Sequence, residues 1–187
     1  MRLFIAINLP PEVRAEITAA TAALRAEAPE LTWVDDTRLH LTLKFLGDVD
    51  ESRLDELSAA MAGVGGQHRE LLMTLGGIGA FPNFRRARVV WMGIAHEARL
   101  ELLHHDVELA CEALGFEVEG RPFRPHLTLA RVKQPLPEAR LRALSRVGKQ
   151  TDFRTDFIVR SVDLMSSELS QSGPTYRTLV SAALRSG

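Results

Sequence analysis

The chain has 187 residues, of which 45% are hydrophobic and 25% charged, and 23 lysines and arginines nearly balance 24 aspartates and glutamates for a net charge of -1. Those proportions describe a globular protein long enough to bury a core without disulfides, and they exclude collagen-like, mostly disordered and membrane-spanning chains. The near-neutral balance argues against a long nucleic-acid groove, which needs a basic excess, but is compatible with a pocket for one phosphate.

In chain order, residues 3–9 read as a short strand. It stops at Pro10-Pro11, too short for a signal-peptide core, and no later stretch reaches membrane-spanning length, so a cytoplasmic location is expected. The two prolines open a helix with Val13, Ile17, Ala20 and Leu24 on one face, ended by Pro29. Residues 39–46 read as a strand. Asp50 or Ser52 then caps a helix carrying Leu54, Leu57 and Met61, which Gly63, Gly65 and Gly66 are expected to break. Two strands follow, 70–75 and 87–94, around a loop containing Gly76, Gly77, Gly79 and Phe81-Pro82-Asn83. Residues 97–114 form the longest helical pattern, capped by Gly115. It holds Cys111, the single cysteine, which reads as a core residue and leaves no internal disulfide and no cysteine-rich metal site. Residues 126–132 are strand-like, 137–147 helical, and 153–165 and 176–184 rich in β-formers joined by a Ser172-Gly173-Pro174 turn. Acids outnumber bases over residues 30–56 and bases outnumber acids over 121–160, the latter suited to a basic wall beside a phosphate. The order of elements predicts an α+β protein with mostly antiparallel sheets, since no glycine-rich phosphate loop or dinucleotide fingerprint is present. With no long exposed apolar pattern, a monomer without an obligate protein partner is expected.

One feature stands far above background. His40-Leu41-Thr42-Leu43 recurs as His126-Leu127-Thr128-Leu129. Chance predicts on the order of 0.01 copies of this tetrapeptide, so the repeat points to an ancient duplication with one motif per lobe. Alternate side chains of a strand share a face, about 3.3 Å apart per residue along the chain. His40 and Thr42 therefore point one way and Leu41 and Leu43 the other, into a core; His126, Thr128, Leu127 and Leu129 repeat the pattern. Two strands side by side would set two imidazoles and two hydroxyls around a shared cleft. Imidazoles on opposite sides of a phosphorus can divide proton transfer, and the hydroxyls can hold its oxygens. A zinc site lacks a third good ligand, His104-His105 read as solvated helix surface, His68 and His96 have no evident partner, and no Gly-x-Ser-x-Gly elbow is present.

The paired motifs and their setting resemble the 2H phosphoesterase superfamily, and within it the RNA 2′,3′-cyclic phosphodiesterases, also called 2′-5′ RNA ligases. The likeness runs through Arg2 to Ile7, Trp33-Val34, Leu39 to Gly47, Phe81-Pro82, Arg88 to Gly93, Pro125 to Arg131, Leu164 to Ser167 and Gly173 to Tyr176. It implies a single bilobal domain over 1–187, with two antiparallel sheets facing a cleft, helices outside and one motif per lobe at 40–43 and 126–129. It also implies no metal and no cofactor. The implied reaction opens a 2′,3′-cyclic phosphate at an RNA end to a 2′-phosphate, with His40 as general acid and His126 as general base. A 5′-hydroxyl replacing water would give an ATP-independent 2′-5′ ligation. The residues alone do not decide which histidine is the acid. They leave open a non-catalytic RNA-end or nucleotide-binding module, and a phosphodiesterase for another cyclic or 2′-5′-linked nucleotide. Phe45 and Arg131 each lie five residues after a motif histidine, as candidates to stack on a base or meet a phosphate. Strict alternation puts both on the core side, so either would need a bulge or strand end to reach the cleft.

Overall fold

The computed structural model of the protein describes residues 1–170 and 173–187. Strands β1 (Arg2–Asn8), β3 (His40–Asp48), β8 (Ser161–Ser170) and β9 (Gly173–Ala183) form one antiparallel sheet in the order β3-β1-β8-β9. Strands β2 (Thr32–Trp33), β4 (Leu71–Phe81), β5 (Val89–Ile94), β6 (His126–Arg131) and β7 (Arg154–Val159) form the other, in the order β2-β6-β5-β4-β7. The expected α+β architecture, with two antiparallel sheets, is what the chain adopts. Strand for strand, 3-1-8-9 corresponds to 6-5-4-7, with β2 an added edge. In each sheet the motif strand pairs with the strand that precedes it across a helical connection. The sheets are not consecutive halves of the chain, however. The C-terminal β8 and β9 complete the sheet that β1 and β3 begin.

Local chemistry explains where elements depart from the sequence pattern. The first predicted helix is two, α1 (Pro11–Ala20) and α2 (Ala22–Glu27). Between them the buried Thr21 hydroxyl donates to the Ile17 carbonyl at 2.8 Å, a back-bond that bends helices. Helix α3 (Leu54–Gln67) continues through its glycines rather than breaking at them. Gly65 lets it lie on β9, where a Cβ would sit 2.6 Å from the Ala183 carbonyl oxygen. The predicted glycine loop after residue 75 is instead the second half of β4. A bulge between Leu75 and Ile78 keeps the strand going, and Gly77 supplies its positive φ of 76°. Residues 153–165 split into β7 and β8, which belong to different sheets. Of the predicted Ser172-Gly173-Pro174 turn, Ser172 lies outside the described residues.

Helix α4 (Ala98–Ala113) buries Leu100, Leu103, Val107 and Cys111 and packs against α3 and β3, whereas α5 (Glu138–Gln150) covers β4. Cys111 is in the core as expected, and burial pushes its thiol up to about 11, which leaves it unreactive at neutral pH. Leu41 and Leu43 share one buried cluster with Leu127 and Leu129, so the backs of both motif strands pack into the same core.

Behind β3 lies a buried ion pair. Lys44 Nζ is 2.7 Å from Glu108 Oε2 of α4 and 2.7 Å from the Glu117 carbonyl oxygen. The same Glu108 oxygen accepts from the Glu119 amide at 3.3 Å. The pair thus ties β3 and α4 to the loop that leads into His126. His104 is not solvated surface, because its ring stacks on Phe123 of that loop at 3.8 Å and 8°. Burial pulls the His104 pKa below its ordinary value, against the opposing pull of Glu108. His68 has a partner, with Nε2 2.8 Å from Asp106 Oδ2. Lys44→Met would strand the Glu108 charge in the interior and should cost about 3–5 kcal/mol in urea unfolding. Adding Glu108→Met should restore most of that loss, and a double variant as unstable as the single would show that the pairing is not the cause.

Candidate active site

The two motif strands match residue for residue in burial. His40 and Thr42 are half-buried, Leu41, Leu43 and Lys44 buried and Phe45 exposed; His126, Thr128, Leu127, Leu129, Ala130 and Arg131 repeat the sequence. The pairing explains it. Thr42 faces Ala6 and Lys44 faces Ile5, so Leu43 is an extra residue; Thr128 faces Trp91 and Ala130 faces Val90, so Leu129 is its counterpart. Each strand carries a bulge at the same place, two successive side chains go to the core, and the next one turns to the face of the histidine and threonine. Phe45 therefore pairs with Phe4, ring centroids 6.2 Å apart, and is 70% exposed. Arg131 pairs with Val89 on the face of Trp91 and Thr128.

Both imidazoles are anchored alike. His40 Nδ1 is 2.7 Å from the Arg38 carbonyl oxygen and His126 Nδ1 is 2.7 Å from that of Arg124. A carbonyl only accepts, so Nδ1 carries the proton in the neutral ring and Nε2 is the free base. At His40 the Thr42 hydroxyl lies 3.1 Å from Nε2. Aromatic rings hold each imidazole edge-on: Tyr176 against His40 at 5.2 Å and 90°, Phe81 against His126 at 4.9 Å and 86°.

The motif strands come together, since β3 and β6 pack against each other. Each histidine also borders a concavity of its own. That of His40 is about 360 Å³ and largely polar, bordered by Asn8, Arg14, Arg38, Asp163 and Tyr176. That of His126 is about 310 Å³ and aromatic, bordered by Phe81, Trp91, Ile94, Arg124 and Pro125. Among the described residues no three His, Cys, Asp or Glu side chains are grouped to hold a metal ion, and no helix is long and apolar enough to cross a membrane.

Residues 9–171 match the family model described as the 2'-5' RNA ligase superfamily. The chain belongs to that superfamily. An RNA 2',3'-cyclic phosphodiesterase of Geobacillus stearothermophilus is 34% identical over 97% of the chain, which spans only 56% of that protein. One from Thermus thermophilus is 35% identical over 99% of the chain and 91% of its own length. Among solved structures, E. coli LigT complexed with 3'-AMP superposes with a TM-score of 0.76 at 30% identity, over 98% of this chain and 97% of that one.

The paired motif was readable in the sequence, but its surroundings were not. Asn8 faces His40 across the strand pair, and its Nδ2 donates to the buried Asp163 Oδ2 at 2.7 Å; the Ser181 hydroxyl donates to Asp163 Oδ1 at 2.6 Å. These residues come from three strands that meet only in the fold. Tyr176 and Phe81 sat within the stretches of family likeness, yet nothing local marked them as packing on the histidines.

Burial pulls the His40 pKa below its ordinary 6.5, opposed by the hydrogen bond to the Arg38 backbone. Below about 6.5 the unfolded chain takes up a proton at this residue that the folded protein resists. The His40 contribution to stability is thus full above that pH and lost as pH falls toward the folded value. Stability should rise with pH more steeply in the wild type than in His40→Asn across this window. Equal slopes in denaturant titrations would show that His40 is not held neutral by burial.

Proposed function

We propose that the protein hydrolyses 2′,3′-cyclic phosphate ends of RNA to 2′-phosphates without a metal or cofactor. The observation that carries this reading is the repeated geometry of the motifs: two imidazoles on packed strands, each pinned through Nδ1 to a carbonyl and offering Nε2, each with a threonine beside it on the same face. His126 takes a proton from water as the water oxygen bonds to phosphorus. The bond from phosphorus to the 3′ oxygen breaks, and His40 delivers a proton to that oxygen. The nucleotide keeps its phosphate on the 2′ oxygen. Thr42 and Thr128 donate to the non-bridging oxygens and stabilise the charge that gathers there. Phe45 and Arg131, each exposed on the face of its motif histidine, stack on the terminal base or meet its phosphate. A 5′-hydroxyl in the place of water would close a 2′-5′ linkage, with the strained ring supplying the energy. The same reading makes the protein a cytoplasmic monomer whose partner is an RNA end or a cyclic nucleotide.

The decisive assay uses an oligoribonucleotide ending in 2′,3′-cyclic phosphate. The product should gain one water, carry a 2′-phosphate and form at the same rate with chelator present. His40→Ala and His126→Ala should each lower kcat by roughly 10²–10⁴-fold. The wild-type rate should fall at both ends of the pH range, because one imidazole must be protonated and the other free. Undiminished turnover in either variant removes that histidine from the mechanism, and binding without turnover by the wild type leaves a binding module.

A further inference from the structure

The polar concavity beside His40 holds two arginines in an unusual state. Arg14, from α1, and Arg38, just before β3, are both half-buried. Each guanidinium is steadied by one backbone carbonyl, Arg14 Nη1 on Thr37 at 3.0 Å and Arg38 Nη1 on Pro174 at 2.9 Å. Among the described residues neither has a carboxylate oxygen within the 4.0 Å of an ion pair. A guanidinium has five N–H donors, so most of each remains available. The nearby acids are otherwise engaged. Asp163, on the floor, accepts from Asn8 and Ser181 through its two oxygens. Asp35, which feels the Arg38 charge, accepts from the Thr37 amide and hydroxyl.

The space itself comes from a break in the pseudo-symmetry. Ala6 stands opposite Thr42 where Trp91 stands opposite Thr128. The Trp91 ring lies across Gly79, so close that a Cβ there would collide with it, and fills its sheet face. The alanine leaves the corresponding face beside His40 open. In the proposed reaction the leaving 3′ oxygen belongs to the ribose, which therefore lies on the His40 side.

We propose that Arg14 and Arg38 form a subsite for the phosphate on the 5′ side of the terminal nucleoside. The preferred substrate is then an RNA end or a 5′-phosphorylated nucleotide rather than a bare nucleoside cyclic phosphate. Two fixed guanidiniums converging on one concavity suit the planar, forked recognition of phosphate oxygens. This inference rests on the reading of the site as one for RNA ends, and binding of reaction products tests it apart from turnover.

Calorimetry on the full chain should compare adenosine 2′-phosphate with adenosine 2′,5′-bisphosphate. The bisphosphate should bind at least about tenfold more tightly, the size of one charge-assisted hydrogen bond. Arg14→Gln and Arg38→Gln should each bring the ratio of the two affinities to within about twofold, whereas Arg160→Gln, on the exposed surface, should keep it. Arg14→Gln carries the test alone if Arg38→Gln does not fold. Equal affinities in the wild type, or a ratio unchanged in both pocket variants, overturns the subsite. A bisphosphate preference without turnover of cyclic-phosphate RNA would leave the subsite standing and remove the proposed reaction; turnover without the preference would do the reverse. Failure of both nucleotides to bind would remove both.

Discussion

A strand that alternates strictly cannot bury two neighbouring side chains on one face, and each motif strand meets that constraint with a bulge. Leu43 with Lys44, and Leu129 with Ala130, go to the core together. What the cleft presents follows from this. Ahead of the bulge the histidine and threonine face outward by ordinary alternation. Behind it the pleat has moved by one residue, so Phe45 and Arg131 face the same way. The pairing of the leucines holds the arrangement in place, because all four lie in one buried cluster. Moving either strand by a residue would exchange imidazoles for leucines and cost the burial of both.

The two halves share a plan but not their surroundings. After the first bulge the second core-facing residue is Lys44, and after the other it is Ala130, packed with Leu24, Ala28 and Val90. A charged amine in the interior needs a partner, and Glu108 supplies it from α4. That requirement has a structural use: the same two side chains hold the backbone of Glu117 and Glu119, in the segment that delivers His126. The core side of one motif is thereby fastened to the approach of the other. On the cleft side the division between Ala6 and Trp91 makes one concavity polar and the other aromatic, which suits a substrate whose ends differ.

How much of this was legible depended on whether the cause was local. The repeated His-x-Thr pattern, its alternation and the apolar stripe of α4 were plain, because period and residue type suffice to read them. Phe45 and Arg131 could be singled out by their matching offsets, but their facing could not, since it depends on a bulge defined against β1 and β5. The glycines of α3 and β4 misled for the same reason. Gly65 and Gly79 answer to a neighbouring carbonyl and an indole ring that are distant in the chain. His104 read as surface because its stacking partner, Phe123, is brought to it by the loop after α4. Asp163, Asn8 and Ser181 carried no signal at all, as a buried hydrogen-bond network across three strands leaves no spacing in sequence.

The proposed reaction asks His40 to arrive protonated, although burial favours its neutral ring. The geometry around Nε2 reconciles the two. With Nδ1 committed to the Arg38 carbonyl, the Thr42 hydroxyl 3.1 Å from Nε2 can donate only while that nitrogen is unprotonated. A phosphate oxygen in the cleft competes for the same hydroxyl. Once Thr42 turns to the phosphate, Nε2 loses its donor and gains an anion beside it, and both changes raise its affinity for a proton. In the proposed reaction, substrate binding would thus favour the protonated form of His40 where an acid is needed. His126 is anchored by the same Nδ1 contact but borders the aromatic concavity. The proposed roles then differ because the surroundings differ, with the motif itself supplying the same side chains to both.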